Sequence, residues 1–349
     1  MFISLAINCF LILIIVILFA YFMRTKESFD ILNSTIGGDL YHEVRNLRPY
    51  NPTALRAEKT ISKYRKSIDD IIAVASDEFK VNGKSTKLTE ACIHALQNGK
   101  RIRSIILSEI ARCGQYPVDP AESILFVEYI HSSSLVLDDL PEFDNDTIRR
   151  GHESVHTKYG PAIAKMAATS LFASAMQCIS RQINWIKQNV KEVKNIDRIG
   201  IYLVSEIGNL LGIRGASGGQ YMDISPQSEF SEDSVLEVIK KKTATFFEAA
   251  VLIGYLISGG DIKDIGIIKE LGRNIGTAFQ IADDIGDIEK DRKQENTWNF
   301  ALKYGRPMAE IELDKHMNAA RLTLKSKNLW TPLWESEIFP MITSMKGDG

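Results

Sequence analysis

Cysteine is scarce in this 349-residue chain: there are four, Cys9, Cys92, Cys113 and Cys178. None stands in a CxxC pair and none joins a histidine at zinc-ligand spacing. A zinc module and a disulfide-stapled scaffold are therefore excluded as the organising principle, and reduced, buried thiols in a cytosol-facing domain are expected. Charge of one sign is missing too. A formal net charge of −2 leaves no broad basic surface, so no nucleic-acid partner is expected and any function built on charge has to be local. Alternating apolar–polar runs joined by hairpin turns are few, which argues against a β protein. There is no short-period repeat or low-complexity tract, and no Ser/His/Asp or Cys/His arrangement marks a nucleophile.

Long uncharged runs are confined to the N-terminus. Residues 2–23, FISLAINCFLILIIVILFAYFM, carry no charge. As a helix they extend about 33 Å, enough for a bilayer core of about 30 Å. The basic residues Arg24 and Lys26 follow the run rather than precede it, and no small-residue cleavage site is evident. That pattern predicts an uncleaved single-pass anchor over 1–23, with the body of the protein facing the cytoplasm. Residues 24–52, with Gly37-Gly38, Pro49 and Pro52, read as a linker. From Thr53 to the end the apolar spacing is helical: 89–96, 104–112, 121–139, 161–186, 197–213, 234–257, 262–290 and 306–326 each carry a stripe. An all-α domain of ten or so helices is predicted for 53–349.

Against this background the carboxylates stand out. Asp138-Asp139 follow the apolar Leu135-Val136-Leu137, and Asp283-Asp284 follow Phe279-Gln280-Ile281-Ala282. Asp283 and Asp287 are four apart and share a helix face. Pro141 breaks the first helix, so Asp144 has to close its set from the following turn. Oxygen-only ligands suit a hard cation, and Mg²⁺ takes one or two carboxylates while keeping waters or phosphate oxygens. Two such sets facing each other would hold Mg²⁺ ions and, through them, a polyphosphate. Fixed positive charge is available in NGKRIRS (Lys100, Arg101, Arg103), in Arg149-Arg150 and in Lys240-Lys241-Lys242. Gly99 is expected to let the first of these loops turn sharply. His131 lies two turns before Asp138 on the same face of its helix.

Together these segments resemble the trans-isoprenyl diphosphate synthase family, of the short-chain geranylgeranyl/farnesyl type, over roughly residues 55–300. NGKRIRS is similar to GGKRxRP, with Asn98 for the first glycine and Ser104 for the proline. HSSSLVLDDLPEFDNDTIRRG resembles the first aspartate-rich motif, GGQYMD the GQxxD segment, KKTATFF the Lys-Thr segment, and FQIADDIGD the second aspartate-rich motif.

The resemblance implies an isoprenoid-synthase-type helical bundle around a central cavity, assembled as a homodimer. It implies Mg²⁺ held by Asp138, Asp144, Asp283 and Asp287, with Asp139, Asp284 and Lys242 also in the catalytic set. Arg149, Lys242, Thr243 and Gln280 would hold an allylic diphosphate. Lys100, Arg103, His131 and Arg150 would hold isopentenyl diphosphate. Lys290 or Lys293 would stand for the lysine that follows the second motif. The implied reaction is head-to-tail prenyl transfer, and the small Ser133 and Ser134 before Asp138 favour a twenty-carbon product over fifteen, with a somewhat longer product as the other alternative. The competing readings are a class I terpene cyclase or head-to-head synthase, which has no use for the Lys100/Arg103/His131 set, and a non-catalytic synthase subunit, which has no use for intact acid clusters.

Overall fold

The computed structural model describes residues 60–193, 195–225, 234–293 and 298–346. The anchor and linker predicted for 1–52 lie outside these described residues. The chain order begins with α1 (Ile61–Ala75), α2 (Lys87–Ala95), α3 (Ile102–Cys113) and α4 (Ala121–Asp138). A short hairpin follows, β1 (Ile148–Arg149) and β2 (His152–Glu153). Then come α5 (Val155–Tyr159), α6 (Pro161–Asn189), α7 (Ile196–Leu211) and α8 (Ala216–Ile224). Helix α9 (Ser234–Val238) runs through a π-helical turn, Ile239–Ala244, into α10 (Thr245–Ile257). The remainder is α11 (Ile265–Gly286), α12 (Ile288–Lys293), α13 (Phe300–Tyr304), α14 (Arg306–Ser326) and α15 (Phe339–Thr343). The all-α architecture is as the periodicity predicted.

Local chemistry explains the outer helices. Thr60 caps α1 by accepting Lys63 N–H, and the helix buries Tyr64, Ile68, Ile71, Ile72 and Ala75 at helical spacing. Thr86 caps α2 in the same way through Thr89 N–H. The inner helices have no polar face: every residue from Ile102 to Ala111 of α3 is buried, as are nearly all of α10. Each fully buried Leu, Ile or Phe there contributes about 1.5–3 kcal/mol of transfer free energy. Helix α4 lies chiefly on α6, α10 on α11 and α3, and α11 on α14. The C-terminal LWTPLWESEIF is packing, with Trp334 fully buried and its ring 5.6 Å from that of Phe339.

Two details move site residues. The stripe over 234–257 is not one regular helix, because the π turn widens it at the three lysines. The hairpin after the first acids turns on Arg150 and Gly151, at φ 54° and 82°. Left-handed conformations at both central positions make a two-residue turn whose twist matches the strands.

Candidate active site

Neighbouring residues on a helix point about 100° apart, so the two aspartates of a pair cannot face the same space. In both pairs the first is half-buried and the second is buried and fastened. Asp138 faces Lys242, while Asp139 accepts Arg149 Nε–H at 2.7 Å. Arg149 Nη2 also donates to Asp146 at 2.7 Å. On α11, Asp284 accepts Phe300 N–H at 2.8 Å and Gln280 Nε2–H at 2.8 Å. Asn299 Nδ2 adds a bond to the Asp284 carbonyl and one to Asp291, each 2.8 Å. Asp139 and Asp284, expected among the reacting groups, therefore aim Arg149 and hold the chain at Asn299–Phe300 against α11. The outward carboxylates are Asp138, Asp144, Asp283 and Asp287. Asp144 reaches its place because its N–H donates to the Asp138 carbonyl at 2.9 Å, folding the chain back beyond Pro141.

These outward acids are crowded. Burial raises Asp138 to about 6; Lys242 opposes the rise and Asp144 and Asp223 reinforce it. Burial likewise raises Asp144, against Lys242 and with Asp223. Asp283 is raised by burial and by Asp287, against Lys100 and Lys290. Lys290 lies 3.7 Å from Asp287; Lys293 closes the short helix α12 just before residues outside the described set.

Asp223, which the GGQYMD segment offers only as an orienting group, belongs to this site. Its Oδ2 accepts Lys242 Nζ at 2.6 Å. Burial works against the lysine's charge, but Asp223 and Asp138 outweigh it and raise its pKa. The available signal was the GGQYMD segment. A Cβ on Gly219 would stand 2.3 Å from Lys242 N, so only glycine lets α8 meet the π turn this closely. Thr243 Oγ1, next along, donates to Gln280 Oε1 at 2.8 Å, so those two expected substrate groups are bonded to each other.

Next to the acids is a cationic cluster of different character. Arg103 is buried, with Nη1 3.2 Å from His131 Nε2. Its guanidinium carbon lies 4.5 Å from the Phe247 ring centroid, 5.7 Å from Phe279 and 5.9 Å from Phe246. Among the described residues its Nε–H has no hydrogen-bond partner, which leaves a buried donor free to meet a ligand. Burial lowers Arg103 only to about 10, so it is charged at neutral pH. Burial and then Arg103, Arg150, Arg101 and Arg149 hold His131 well below its ordinary value, so its imidazole is neutral and accepts from Arg103. Arg150 Nη1 donates to the Ala95 and Gln97 carbonyls at 3.0 and 3.3 Å. Lys100 Nζ lies 3.0 Å from Met345 Sδ.

The acid sets border one region. Arg103 bonds to His131 of α4 and is also within the field of Asp283 on α11. Lys242 feels Asp138, while adjacent Thr243 holds Gln280, one turn before Asp284. Among the described residues no three His, Cys, Asp or Glu side chains already converge on a metal position. The donors are carboxylates in separate sets. That fits Mg²⁺, which bridges a few carboxylates and completes its shell with water and phosphate oxygens, and it does not fit a closed zinc site.

A helical bundle with two acidic helix ends beside a cationic cluster defines an isoprenoid-synthase-type enzyme. Comparison with known proteins carries this further. Residues 85–298 match the Polyprenyl synthetase family, and the chain belongs to that family; it is an enzyme of the polyprenyl synthase type. It is 33% identical over 341 residues to the trans-prenyltransferase of African swine fever virus (strain Badajoz 1971 Vero-adapted), covering 96% of each chain. It is 34% identical over 213 residues to a geranylgeranyl diphosphate synthase of Cyanophora paradoxa, covering 59% of this chain and 67% of the relative. Among solved structures, a geranyltranstransferase of Thermotoga maritima superimposes with a TM-score of 0.66 at 26% identity, over 81% of this chain and 98% of that one. A geranyltransferase of Legionella pneumophila shares the fold with a TM-score of 0.67 at 22% identity, over 82% and 95%.

Proposed function

We propose that this enzyme condenses isopentenyl diphosphate with allylic diphosphates head-to-tail, giving a trans-polyprenyl diphosphate of twenty carbons. The observation that carries the reading is the pairing of outward acids with a separate cationic cluster in which, among the described residues, Arg103 and His131 carry no bonded carboxylate. The acids would hold one diphosphate through a cation and the fixed cations would hold the other, which is what joining two diphosphate substrates requires and what a cyclase does not. Mg²⁺ held by Asp138, Asp144, Asp283 and Asp287 would supply the positive charge that makes diphosphate a leaving group. Lys242 and Arg149 bind the allylic diphosphate and retain it as its carbon–oxygen bond breaks, the electron pair leaving with oxygen. Arg103 and Lys100 orient isopentenyl diphosphate so that its double bond attacks the allylic carbon, and the departing diphosphate takes the proton then lost. Phe246, Phe247 and Phe279 keep water from the cation.

Product length is read from the α4–α6 seam. Ser133 donates to the Ala168 carbonyl of α6 at 2.8 Å, and Ser134 to the His131 carbonyl of its own helix at 2.9 Å. Ser133 thus ties α4 to α6 at Ala168, and its small side chain leaves the helix turn before Asp138 without the bulk that would stop a growing chain. Assembly as a homodimer and tethering to a membrane by residues 1–23, with the active site in the cytoplasm, complete the reading. A tethered site would release its long-tailed product next to the bilayer. Incubating the protein with Mg²⁺, isopentenyl diphosphate and each allylic primer, then sizing the products, tests the reaction; failure to elongate any primer refutes it. Deleting residues 1–26 should abolish sedimentation with membranes, and persistent sedimentation would reject the anchor.

A further inference from the structure

We propose that Arg101 and Glu128 form a buried pin that aims Lys100 and Arg103 at isopentenyl diphosphate, so that Arg101 is a positioning residue and not a ligand. This deepens, and rests on, the prenyl-transfer reading above. NGKRIRS supplies three cations that meet different fates. Arg103 lies on phenylalanine rings with an unused Nε–H. Arg101 has its donors engaged: its side chain is 3% exposed, and Nη1 donates to Glu128 at 2.6 Å. Its Nε donates to Asp69 at 2.9 Å and its Nη2 to the Leu96 carbonyl at 2.6 Å. The second oxygen of Glu128 accepts the Ser104 hydroxyl at 2.6 Å. A guanidinium whose three nitrogens are all bonded inside the protein offers no fork to a diphosphate.

The backbone gives the pin its purpose. Arg101 sits at φ 60° and is the N-cap of α3, so the chain reverses at this residue and puts Arg103 in the first helical turn. A side chain other than glycine rarely adopts this conformation, and it persists where the surroundings over-determine it. Asn98, at φ 56°, makes the other left-handed step. The sharp turning expected of Gly99 thus falls to Asn98 and Arg101. Gly99 instead leaves room, since a Cβ there would meet Arg101 Nη1 at 2.6 Å. Glu128 lies on α4, three residues before His131 and ten before Asp138. The pin therefore fixes the cationic loop to the helix that carries the first acid set.

The test is the double variant Arg101→Met/Glu128→Met, which removes both charges together and strands neither. With helical content and cooperative melting retained, KM for isopentenyl diphosphate should rise at least about tenfold. KM for the allylic primer, and its solvolysis without isopentenyl diphosphate, should stay within about twofold of the parent. A loss of packing alone would move both substrates together. A folded double variant with the parental isopentenyl diphosphate KM overturns the pin. Should that variant fail to fold, Arg101→Lys, which keeps the charge but not the fork, is measured: a selective rise in the same KM supports the pin and a parental value overturns it. If the parent makes no prenyl product, the functional reading fails, and the pin is judged separately by titrating metal-free protein with pyrophosphate. Binding about tenfold weaker in the variant then supports it, and equal affinity overturns it.

Discussion

Asp138 should be a stability defect in the metal-free protein. Burial, Asp144 and Asp223 push its carboxyl from 3.8 to about 6, despite Lys242. Because the folded pKa is above the unfolded one, the native state binds the extra proton between those values, and stability falls as pH rises through that window. At about 1.4 kcal/mol per pH unit, the defect at neutral pH is about 2–3 kcal/mol. Asp138→Asn keeps the shape and removes the charge, so in EDTA at pH 7 it should melt about 4–6 °C higher, at about 2 °C per kcal/mol for a chain of this size. Turnover should nevertheless fall by orders of magnitude. Mg²⁺ should raise the parent's melting temperature by binding the native state, and should raise that of the variant much less. Calorimetry in EDTA and then in Mg²⁺, over pH 4–8, reads all of this. A variant that melts lower than the parent in EDTA, or gains as much from Mg²⁺, would refute the view that Asp138 is an outward acid awaiting a cation.

Burial raises Asp284 as well, to about 7, against its bonds from Gln280 and Phe300, so its fastening role is tested where its charge is absent. At pH 5, Asp284→Ala leaves Phe300 N–H and the Gln280 amide without an acceptor and should lower stability by about 1–3 kcal/mol in urea titrations; an unchanged midpoint would refute its role as a fastener. Ser133→Phe should wedge the α4–α6 seam and shift the product toward fifteen carbons by chromatography, and an unaltered product spectrum would reject that seam as the length gauge. Glu109 is fully buried; burial raises its carboxyl, but hydrogen bonds from Arg112, Thr331 and Tyr64 outweigh this and lower it from 4.5. It thus adds stability above pH 4.5 that is lost as pH falls through the lowered value. Glu109→Gln should destabilise the protein at pH 7 and flatten the acid limb of its stability curve, and parallel limbs for parent and variant would count against the assignment.

Much of this protein is legible along the chain because the relevant interactions are local. Apolar residues at helical spacing predicted the helices, and the motifs in order predicted the family. Residues one helical turn apart, such as Asp283 and Asp287, share a face whatever the rest of the chain does. What the sequence alone does not separate are groups of the same type whose roles depend on what lies across from them. Asp138 and Asp139 differ only by the rotation between neighbours, and it takes the hairpin's Arg149 to make Asp139 a fastener while Asp138 stays turned toward Lys242. Arg101 and Arg103 are equally basic in the string, yet one meets Glu128 and the other meets phenylalanine rings. Lys242 is singled out by a π turn whose backbone lies against Gly219, and Asp223 enters the site only because α8 packs there. Periodicity and spacing thus determined which residue types are present and which helix face they occupy. Tertiary packing decided which charges are paired, because a buried charge takes its character from partners distant in sequence.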